Sequence, residues 1–276
     1  MRDLYLIRHG KPQYPDKHSY CIGQTDLPLS MLGHLQAVLL HEELSDKISA
    51  IYCSPLSRAV DTASHIAPAL PHLTVSELSE RNLGSWDGLS FDKIRQKWPA
   101  IYEARGKNPE CPIPGAETPL ESGTRFSQAI SRILHSSDSN IAVVAHTDVI
   151  SFYLWMLYPE ISDIQKFRLP CGSYYHLRVD AEGNAALSDS HYILPHPVLN
   201  DELCRMLRNS VDLPQHVQAH SDAVTELACR LCDILKVHGY LFDQQLIRSG
   251  ALLHDIARLQ KHHTKTGGDL FLQLGY

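Results

Sequence analysis

The stretch Leu4-Tyr5-Leu6-Ile7-Arg8-His9-Gly10 decides the fold, because an apolar run leads directly into a cation, an imidazole and a glycine. Residues 3–7 are predicted to form a short buried strand, and in open α/β sheets ligands bind just beyond the carboxyl ends of strands. A guanidinium can grip an anion with two hydrogen bonds, and an imidazole can act as a nucleophile. The stretch therefore predicts an anion-handling site at the edge of a sheet.

Two later segments repeat this arrangement. Residues 140–146 form another short apolar run that ends on His146, followed by a helix for which Thr147 or Asp148 can be the cap. Residues 50–53 are predicted as a buried strand, and Arg58 then lies in the first turn of a helix that starts near Pro55. A guanidinium beside a helix N-terminus can share an anion with the helix dipole.

A glutamate in a loop supplies the candidate acid. Glu80 lies within residues 78–88, among apolar and aromatic side chains. Partial loss of solvent favours the protonated form of a carboxyl group at neutral pH. A general acid requires that form, although a helix-capping or salt-bridged carboxylate is the alternative interpretation.

Residues 1 to about 192 resemble the histidine phosphatase superfamily, also called the phosphoglycerate mutase-like family. Five segments carry the resemblance and occur in the family's order. They are Arg8-His9-Gly10; Gly23 to Ser30 with Gly33, Gln36 and Ala37; Ser54 to Ala59 with Thr62 and Ala63; Leu78-Ser79-Glu80 with Gly84, Trp86 and Gly88; and Ala145-His146.

The resemblance implies a phosphatase that needs no metal or other cofactor, because arginines supply the positive charge. His9 would attack phosphorus and form a phosphohistidine, and Glu80 would protonate the leaving alkoxide and then activate water. The attacking nitrogen must be neutral, so we expect a backbone hydrogen bond to fix the His9 tautomer. The residues that the resemblance places on the phosphoryl group or the substrate are Arg8, Arg58, His146, Gly23, Gln24 and Thr147. Thr147 stands where the family usually has glycine.

The segment Gly84-Ser85-Trp86-Asp87-Gly88 is similar to the phosphatase members, including α-ribazole phosphatases, more than to the mutases. We therefore expect a small phosphorylated metabolite as the substrate, with Tyr14, Tyr20 and Trp86 able to stack on a flat group. Phosphoglycerate mutase-type phosphoryl transfer and a phosphorylated protein substrate remain the alternatives. The acid phosphatase and phytase branch is disfavoured, because Lys11-Pro12-Gln13 follows Gly10.

The last third of the chain is predicted to be helical, with Val224, Leu227, Ala228, Leu231 and Leu235 forming one apolar face. It resembles the HD family of metal-dependent phosphohydrolases through His220-Ser221, Leu252 to Ile256, His263, Gly267 and Leu274-Gly275. The resemblance implies a divalent metal on His220, His254 and Asp255, with a fourth ligand expected beyond Tyr276, so the domain is expected to be incomplete. A second hypothesis follows, in which this domain acts on nucleotides and the first domain is accessory; a third is a binding module without activity.

We thus expect an α/β fold: a three-layer α/β/α phosphoglycerate mutase-like domain at residues 1–195, a linker at 196–212 and a small all-α HD-like domain at 213–276. Two stretches, 172–179 and 185–191, are predicted to form an antiparallel hairpin. Whether the chain is a fragment of a longer protein is left open.

The composition excludes several classes of function. A net charge of -6 over 276 residues gives no support for nucleic-acid binding. The longest apolar stretch, about 149–158, is too short to span a bilayer, and no secretory signal is recognised. Seven scattered cysteines suit a reducing cytoplasm, and Cys229 and Cys232 are interpreted as helix residues without zinc. We expect a cytoplasmic enzyme acting on a small phosphate ester, with a homodimer as one expectation for the helical end.

Overall fold

A six-stranded sheet organises the first two-thirds of the chain in the computed structural model, which describes residues 1–108, 111–189 and 191–276. Its strands are β1 (Arg2–Arg8), β3 (Ala50–Cys53), β4 (His72–Thr74), β6 (Ile141–Ala145), β7 (Tyr174–Val179) and β8 (Ala185–Leu187), in the order β4-β3-β6-β1-β7-β8. The first four strands in that order are parallel, whereas β7 and β8 join antiparallel. A separate pair joins β2 (Tyr20–Cys21) to β5 (Leu89–Ser90).

Ten α-helices lie in the described residues. They are α1 (Met31–Leu44), α2 (Ser57–Ile66), α3 (Phe91–Lys97), α4 (Pro99–Lys107), α5 (Pro119–Ser136), α6 (Thr147–Leu157), α7 (Asp201–Ser210), α8 (Gln215–Val237), α9 (Gln244–Leu253) and α10 (His263–Leu274). Helix α1 begins after the predicted cap, because the Ser30 hydroxyl accepts a hydrogen bond from the Gly33 amide at 3.2 Å. No helix within the described ranges combines the length and the apolar character needed to cross a bilayer.

The alternation of side chains along β1 produces two hydrophobic cores. Leu4 and Leu6 point to one face of the sheet and pack in a cluster with α5 and α6. Tyr5 and Ile7 point to the other face and pack in a cluster with α1 and α2. The sheet is thus covered on both faces, which confirms the predicted α/β class and its three layers.

The predicted hairpin is present as β7 and β8, paired antiparallel from Leu177–Leu187 to Val179–Ala185. The second strand is shorter than predicted, ending at Leu187, and Ser190 lies outside the described residues. Because β7 also pairs with β1, the hairpin closes the sheet beside the strand that carries His9.

Helices α7, α9 and α10 pack against the outer face of α1, and α8 packs on α9. Leu35 and Leu39 of α1 share a hydrophobic cluster with Leu207, Ile256 and Leu270. The region that the sequence analysis assigned to a linker, 196–212, contains the ten-residue helix α7, which belongs to this cluster. The helical region is therefore joined to the α/β domain through a shared core, and its assignment to the HD family stays a prediction.

The buried face of helix α8 differs from the face that the sequence analysis predicted. Its buried residues are Val217, Ser221, Thr225 and Cys232, whereas Leu227 and Leu231 of the predicted apolar face are 60% and 51% exposed. The hydrophobic period was correctly recognised as helical. It could not indicate which side of the helix meets α9 and which side meets solvent. A homodimer that covers this face stays a prediction.

Candidate functional site

His9 occupies the carboxyl end of β1 and is almost fully buried. Its Nδ1 lies 2.6 Å from the carbonyl oxygen of Gly10. A carbonyl only accepts, so Nδ1 carries the proton and Nε2 presents a lone pair. The backbone hydrogen bond expected from the sequence is therefore present, and Nε2 is the nucleophilic atom.

Arg58, in the first turn of α2 as predicted, faces that lone pair. Its Nε lies 3.2 Å from His9 Nε2, and the arginine is 1% exposed. Its two terminal nitrogens donate to the carbonyl oxygens of Thr25 at 2.9 Å and Gly23 at 2.7 Å. The guanidinium is thus fixed by three partners, which positions a buried positive charge beside the imidazole.

Arg8 and His146 complete the cationic end of the site, and each keeps one buried nitrogen unpaired. Arg8 donates from Nη1 to the Leu169 carbonyl at 2.5 Å, and His146 Nε2 lies 2.8 Å from the Ser54 hydroxyl. Arg8 Nε and His146 Nδ1 are buried and find no partner among the described residues. Buried polar atoms are normally satisfied, so these two nitrogens indicate a polar ligand. The His9 and His146 rings lie 4.9 Å apart.

Burial and the neighbouring positive charges favour the neutral form of both histidines. Burial, then the charges of Arg58 and Arg8, hold the pKa of His9 well below its ordinary value. Burial and Arg58 act in the same direction on the pKa of His146. At neutral pH His9 is therefore unprotonated at Nε2, as nucleophilic attack requires.

Glu80 is buried against the N-terminus of α6. Its Oε1 accepts hydrogen bonds from the amides of Arg81 at 2.9 Å and Val149 at 3.3 Å, and its Oε2 accepts from the amide of Asp148 at 3.3 Å. The predicted Thr147 or Asp148 cap is wrong: His146 is the N-cap, without a side-chain cap bond. Glu80 instead satisfies two of the free helix amides, which is the physical reason for the correction.

The environment of Glu80 favours its protonated form. Burial, followed by the charge of Asp148, raises the pKa of Glu80 to about 7, against an opposing effect of the Arg81 and Asp148 amides and of Arg58. A carboxyl group with such a pKa exchanges a proton easily near neutral pH. It can therefore serve first as an acid and then as a base.

A cavity of about 350 Å³ brings the predicted residues together. Arg8, His9, Arg58, Glu80 and Thr147 all line it, and His146 is buried beside His9. The Thr147 hydroxyl is buried and has no hydrogen-bond partner within the described chain. The aromatic candidates for stacking on a substrate also line this cavity; they are Tyr14, Tyr20 and Trp86.

Gly23 and Gln24 are placed differently from the other predicted residues, because neither lines the cavity. The amides of Gly23, Gln24 and Thr25 donate to the carboxylate of Asp87 at 2.8, 2.8 and 3.0 Å. On the other side of this loop, the carbonyl oxygens of Gly23 and Thr25 accept hydrogen bonds from Arg58. This loop therefore acts on the site through Arg58.

Sequence reasoning missed three residues of the site. Asp87 was quoted only as part of a motif, although it anchors the loop that holds Arg58. Arg105 and Arg168 line the cavity but stood in segments without a recognisable pattern. The Gly-Ser-Trp-Asp-Gly turn was a signal for Asp87, since aspartate in a turn often accepts backbone hydrogen bonds. For the two arginines the sequence offered no signal beyond their charge.

The three predicted metal ligands of the helical region also meet. One ligand atom each from His220, His254 and Asp255 lies within 4.8 Å of the others. The Nδ1 of His254 is 2.7 Å from the Ala251 carbonyl, so its Nε2 is left with a lone pair. Asp255 is buried, yet its carboxylate lies 3.6 Å from His254, 3.6 Å from His263 and 3.7 Å from Arg258, beyond hydrogen-bond distance.

Comparison with known proteins assigns a family to residues 4–189. A sequence model of the histidine phosphatase superfamily (branch 1) matches residues 4–189. A Hydrogenobacter thermophilus protein provisionally named phosphoserine phosphatase 2 is 33% identical over 150 residues, which cover 53% of this chain and 73% of that protein. Phosphoglycerate mutase-like protein 4 of Arabidopsis thaliana is 32% identical over 173 residues, covering 59% and 74%. The solved structure of an Escherichia coli protein, provisionally described as an α-ribazole-5′-phosphate phosphatase, matches with a TM-score of 0.57 at 25% identity, over 67% of this chain and 94% of that chain.

Proposed function

The chain belongs to the histidine phosphatase superfamily, and from that premise we propose that this phosphatase hydrolyses a small phosphomonoester through a phosphohistidine on His9 Nε2. One observation carries the proposal: the Gly10 carbonyl leaves Nε2 unprotonated, in a cavity lined by Arg8 and Arg58. The relative named as a phosphoserine phosphatase supports a small phosphorylated metabolite as the substrate.

The first half-reaction uses His9 and Glu80. The lone pair of Nε2 attacks phosphorus, the N–P bond forms, and the bond from phosphorus to the ester oxygen breaks. The protonated carboxyl group of Glu80 gives its proton to the leaving oxygen, so that an alcohol departs. The raised pKa of Glu80 supports this role, because much of the group is protonated at pH 7.

The second half-reaction returns the enzyme to its starting state. The Glu80 carboxylate takes a proton from a water molecule as that oxygen attacks the phosphohistidine. The O–P bond forms, the N–P bond breaks, and inorganic phosphate leaves. Glu80 is then protonated again, and His9 is again neutral, with its Nδ1–H donating to the Gly10 carbonyl oxygen.

Four groups stabilise the charge on the transferring phosphoryl group in this proposal. They are Arg8, Arg58, the hydroxyl of Thr147 and the Nδ1 of His146, which donates in the tautomer whose Nε2 accepts from the Ser54 hydroxyl; the last two atoms have no partner among the described residues. Fixed donors of this kind act without reorganisation when the charge develops. Gly23 and Gln24 were proposed from the sequence as direct ligands. In this scheme Gly23 holds Arg58 through its carbonyl oxygen, and Gln24 belongs to the same loop, with its amide on Asp87.

The deciding experiment is hydrolysis of p-nitrophenyl phosphate in excess EDTA by the wild type, His9→Ala and the control His238→Ala. His238 is an exposed histidine at the end of α8, far in sequence from the site. We expect activity in the wild type and the control, and none in His9→Ala. A ³²P label that the protein takes up from the substrate should mark the phosphohistidine if it is lost in acid and kept in alkali. Activity abolished by EDTA and indifferent to His9 would refute the proposal. Mutase-type transfer needs a substrate with a second hydroxyl group, so a parallel assay uses 3-phosphoglycerate; formation of 2-phosphoglycerate without free phosphate would favour it.

A second function is favoured by the cluster in the helical region. We propose that His220, His254 and Asp255 hold a divalent cation, in keeping with the resemblance of this region to HD phosphohydrolases. The fit is supported by the lone pair on His254 Nε2 and by the buried Asp255 carboxylate, which accepts no hydrogen bond from the residues that the structure describes. Two imidazoles and a carboxylate suit a first-row metal, which when bound would supply Lewis acidity.

His263, which also lies near Asp255, is poorly placed to be a fourth ligand of this site. Arg258 Nη1 lies 2.9 Å from the Nε2 of His263, so that nitrogen is already accepting a hydrogen bond. The proposed site therefore has three protein ligands from this chain. A three-ligand site leaves positions open for water or substrate, as catalytic zinc sites do.

A further inference from the structure

Helix α8 presents an apolar stripe that the described part of the chain leaves open. Of the described elements, α9 makes the main contact with α8, and the buried side of α8 carries Ser221 and Thr225. Leu227, Leu231 and Ile234 lie on a different side of the helix, and each is more than half exposed. A contiguous row of exposed apolar side chains is typical of a surface that binds another apolar surface.

The apolar surface continues beyond the end of the helix. The segment 240–242 follows α8 and adds the exposed side chains of Tyr240, Leu241 and Phe242, and Leu235 is exposed beside the stripe. The exposed fractions of these seven side chains amount to about four fully exposed large residues, or on the order of 800 Å² at roughly 200 Å² each. The largest apolar patch of a monomer is usually about 300–600 Å², whereas each partner of a stable complex buries about 800 Å². The area therefore matches one side of a dimer interface.

The spacing within the stripe suits a second copy of the same helix. Its four positions follow intervals of three, four and three residues, which are the same in either direction along the chain; they are Val224, Leu227, Leu231 and Ile234. At 3.6 residues per turn they fall on one narrow face. A two-fold contact must be self-complementary, because residue i meets residue j and residue j meets residue i. The stripe therefore fits an antiparallel copy of itself.

The charged residues of α8 do not obstruct such a contact. Five Asp, Glu, Lys and Arg residues lie outside the stripe at the helical period; they are Asp222, Glu226, Arg230, Asp233 and Lys236. Asp222 pairs with Arg208, and Glu226 pairs with Arg230. Asp233 and Lys236 both contact the side chain of Gln244. Since interfaces are depleted of charge at their centre, a second copy can cover the stripe without desolvating an unpaired charge.

We propose that the chain forms a homodimer in which α8 packs antiparallel on α8 of a second copy. The two-fold axis passes between Leu227 and Leu231, so that Leu227 contacts Leu231 of the partner subunit. In the same register Val224 contacts Ile234 of the partner subunit. No residue of α8 lines the cavity that contains His9. The interface is thus separate from the phosphatase site and does not rest on the proposed chemistry.

Analytical ultracentrifugation of the purified chain tests the dimer, with EDTA and a reductant present so that neither metal nor the free cysteines can link two copies. We expect the wild type to sediment with the mass of two 31.0 kDa chains at concentrations of about 10–100 µM. Leu227→Glu and Leu231→Lys should each raise the dissociation constant of the dimer about 10-fold or more, because a charge would be buried against leucine. Leu272→Lys is the matched control, since Leu272 is exposed on α10 outside the stripe.

Circular dichroism checks that all variants are folded, as expected for substitutions at exposed positions. The mass of one chain for the wild type over the whole range would overturn the proposal and leave the stripe to a different partner. An equal weakening of the dimer by Leu272→Lys would overturn it as well, because the interface would then include α10.

Mixing the two stripe variants tests the antiparallel register. In that register the new glutamate of one chain meets the new lysine of the other across the axis, while the second contact keeps its two leucines. We expect the mixture to recover a two-chain mass that neither variant reaches alone. A parallel pair would place equal positions together and set each new charge against leucine, so no recovery would follow. A dimer that survives both substitutions, or a mixture that stays at the mass of one chain, would overturn the proposed interface.

Discussion

The Nε of Arg58 lies 3.2 Å from the Nε2 of His9, so the arginine donates towards the lone pair that would attack phosphorus. This contact places a positive charge on the nucleophilic side of the ring, which opposes protonation of His9. The same guanidinium is bound by the carbonyl oxygens of Gly23 and Thr25, so it stays in position when a phosphoryl group takes over the contact. His9 is therefore unprotonated throughout the neutral range, and the pH dependence of the reaction should come from Glu80.

The first prediction concerns that pH dependence. Glu80, with a pKa raised to about 7, is protonated below that pH and ionised above it. We expect kcat for an alkyl phosphate to fall as the pH rises through 7, because the acid form is lost. Glu80→Gln should lower kcat roughly 10²- to 10⁴-fold, the range for general acid–base catalysis, and should abolish this alkaline decline. p-Nitrophenyl phosphate, whose leaving group needs no proton, should show a shallower decline, and an unchanged alkaline limb in Glu80→Gln would contradict the assignment.

The second prediction concerns Asp87. Its carboxylate accepts the amides of Gly23, Gln24 and Thr25, and this loop holds Arg58. Removing the carboxylate in Asp87→Ala leaves three amides to find other partners and allows the loop to shift. A misplacement of about 1 Å at a catalytic group can cost about 100-fold, so we expect kcat/KM to fall by about 10- to 100-fold.

Inhibition by vanadate distinguishes the positioning role of Asp87 from a merely structural one. Asp87→Ala should weaken vanadate binding, because Arg58 no longer has its fixed orientation. Asp92→Ala, in the first turn of α3 outside the cavity, is the matched control and should leave inhibition unchanged. A variant with lower thermal stability but normal vanadate affinity would show that Asp87 stabilises the loop without positioning Arg58.

The positions of His9, His146 and Glu80 show which features of the site could be predicted from the sequence. His9 and His146 were predicted together because each follows an apolar strand, and β1 and β6 are indeed parallel neighbours, with Arg8 opposite Ala145. The raised pKa of Glu80 was also predicted in direction, since apolar neighbours in sequence remained neighbours in space. Side-chain positions were thus predictable where strand ends and local composition determine the surroundings.

The remaining contacts depend on approaches that no local pattern encodes. Asp87 meets amides 62 to 64 positions earlier in the chain, and the sequence between them contains no sign of that meeting. The prediction of the buried face of α8 was wrong, because a hydrophobic period defines a helix but not the side on which its partner packs. His146 replaced the predicted cap because Glu80, a distant residue, supplies the acceptor that a cap would have supplied.

The third prediction concerns the close approach behind His9. A Cβ on Gly10 would lie 2.4 Å from the carbonyl oxygen of Gly33, and a backbone atom of α1 cannot move aside easily. We expect Gly10→Ala to destabilise the fold by about 1–3 kcal/mol, the usual cost of overpacking, and to lower the melting temperature accordingly. Gly250→Ala is the control, because it lies within α9 with nothing within 4 Å of the added Cβ. The control should be neutral or stabilising, since alanine favours a helix by about 1 kcal/mol over glycine. Equal melting temperatures for wild type and Gly10→Ala would show that α1 yields without cost.

The fourth prediction concerns the cluster of His220, His254 and Asp255. A cation that binds only the folded protein raises its thermal stability with concentration. Mn²⁺ is the suitable probe, because the free cysteines of the chain would compete for softer ions such as Zn²⁺. We expect Mn²⁺ to raise the melting temperature of the EDTA-treated wild type and of His238→Ala, and to leave His254→Ala and Asp255→Asn unchanged. Direct titration should give about one bound ion per chain in the first two proteins. An equal stabilisation of all four proteins would place the ion elsewhere, and no stabilisation of any of them would refute the proposed site. In either case p-nitrophenyl phosphate hydrolysis should continue in EDTA, because the His9 cavity relies on arginines for its positive charge.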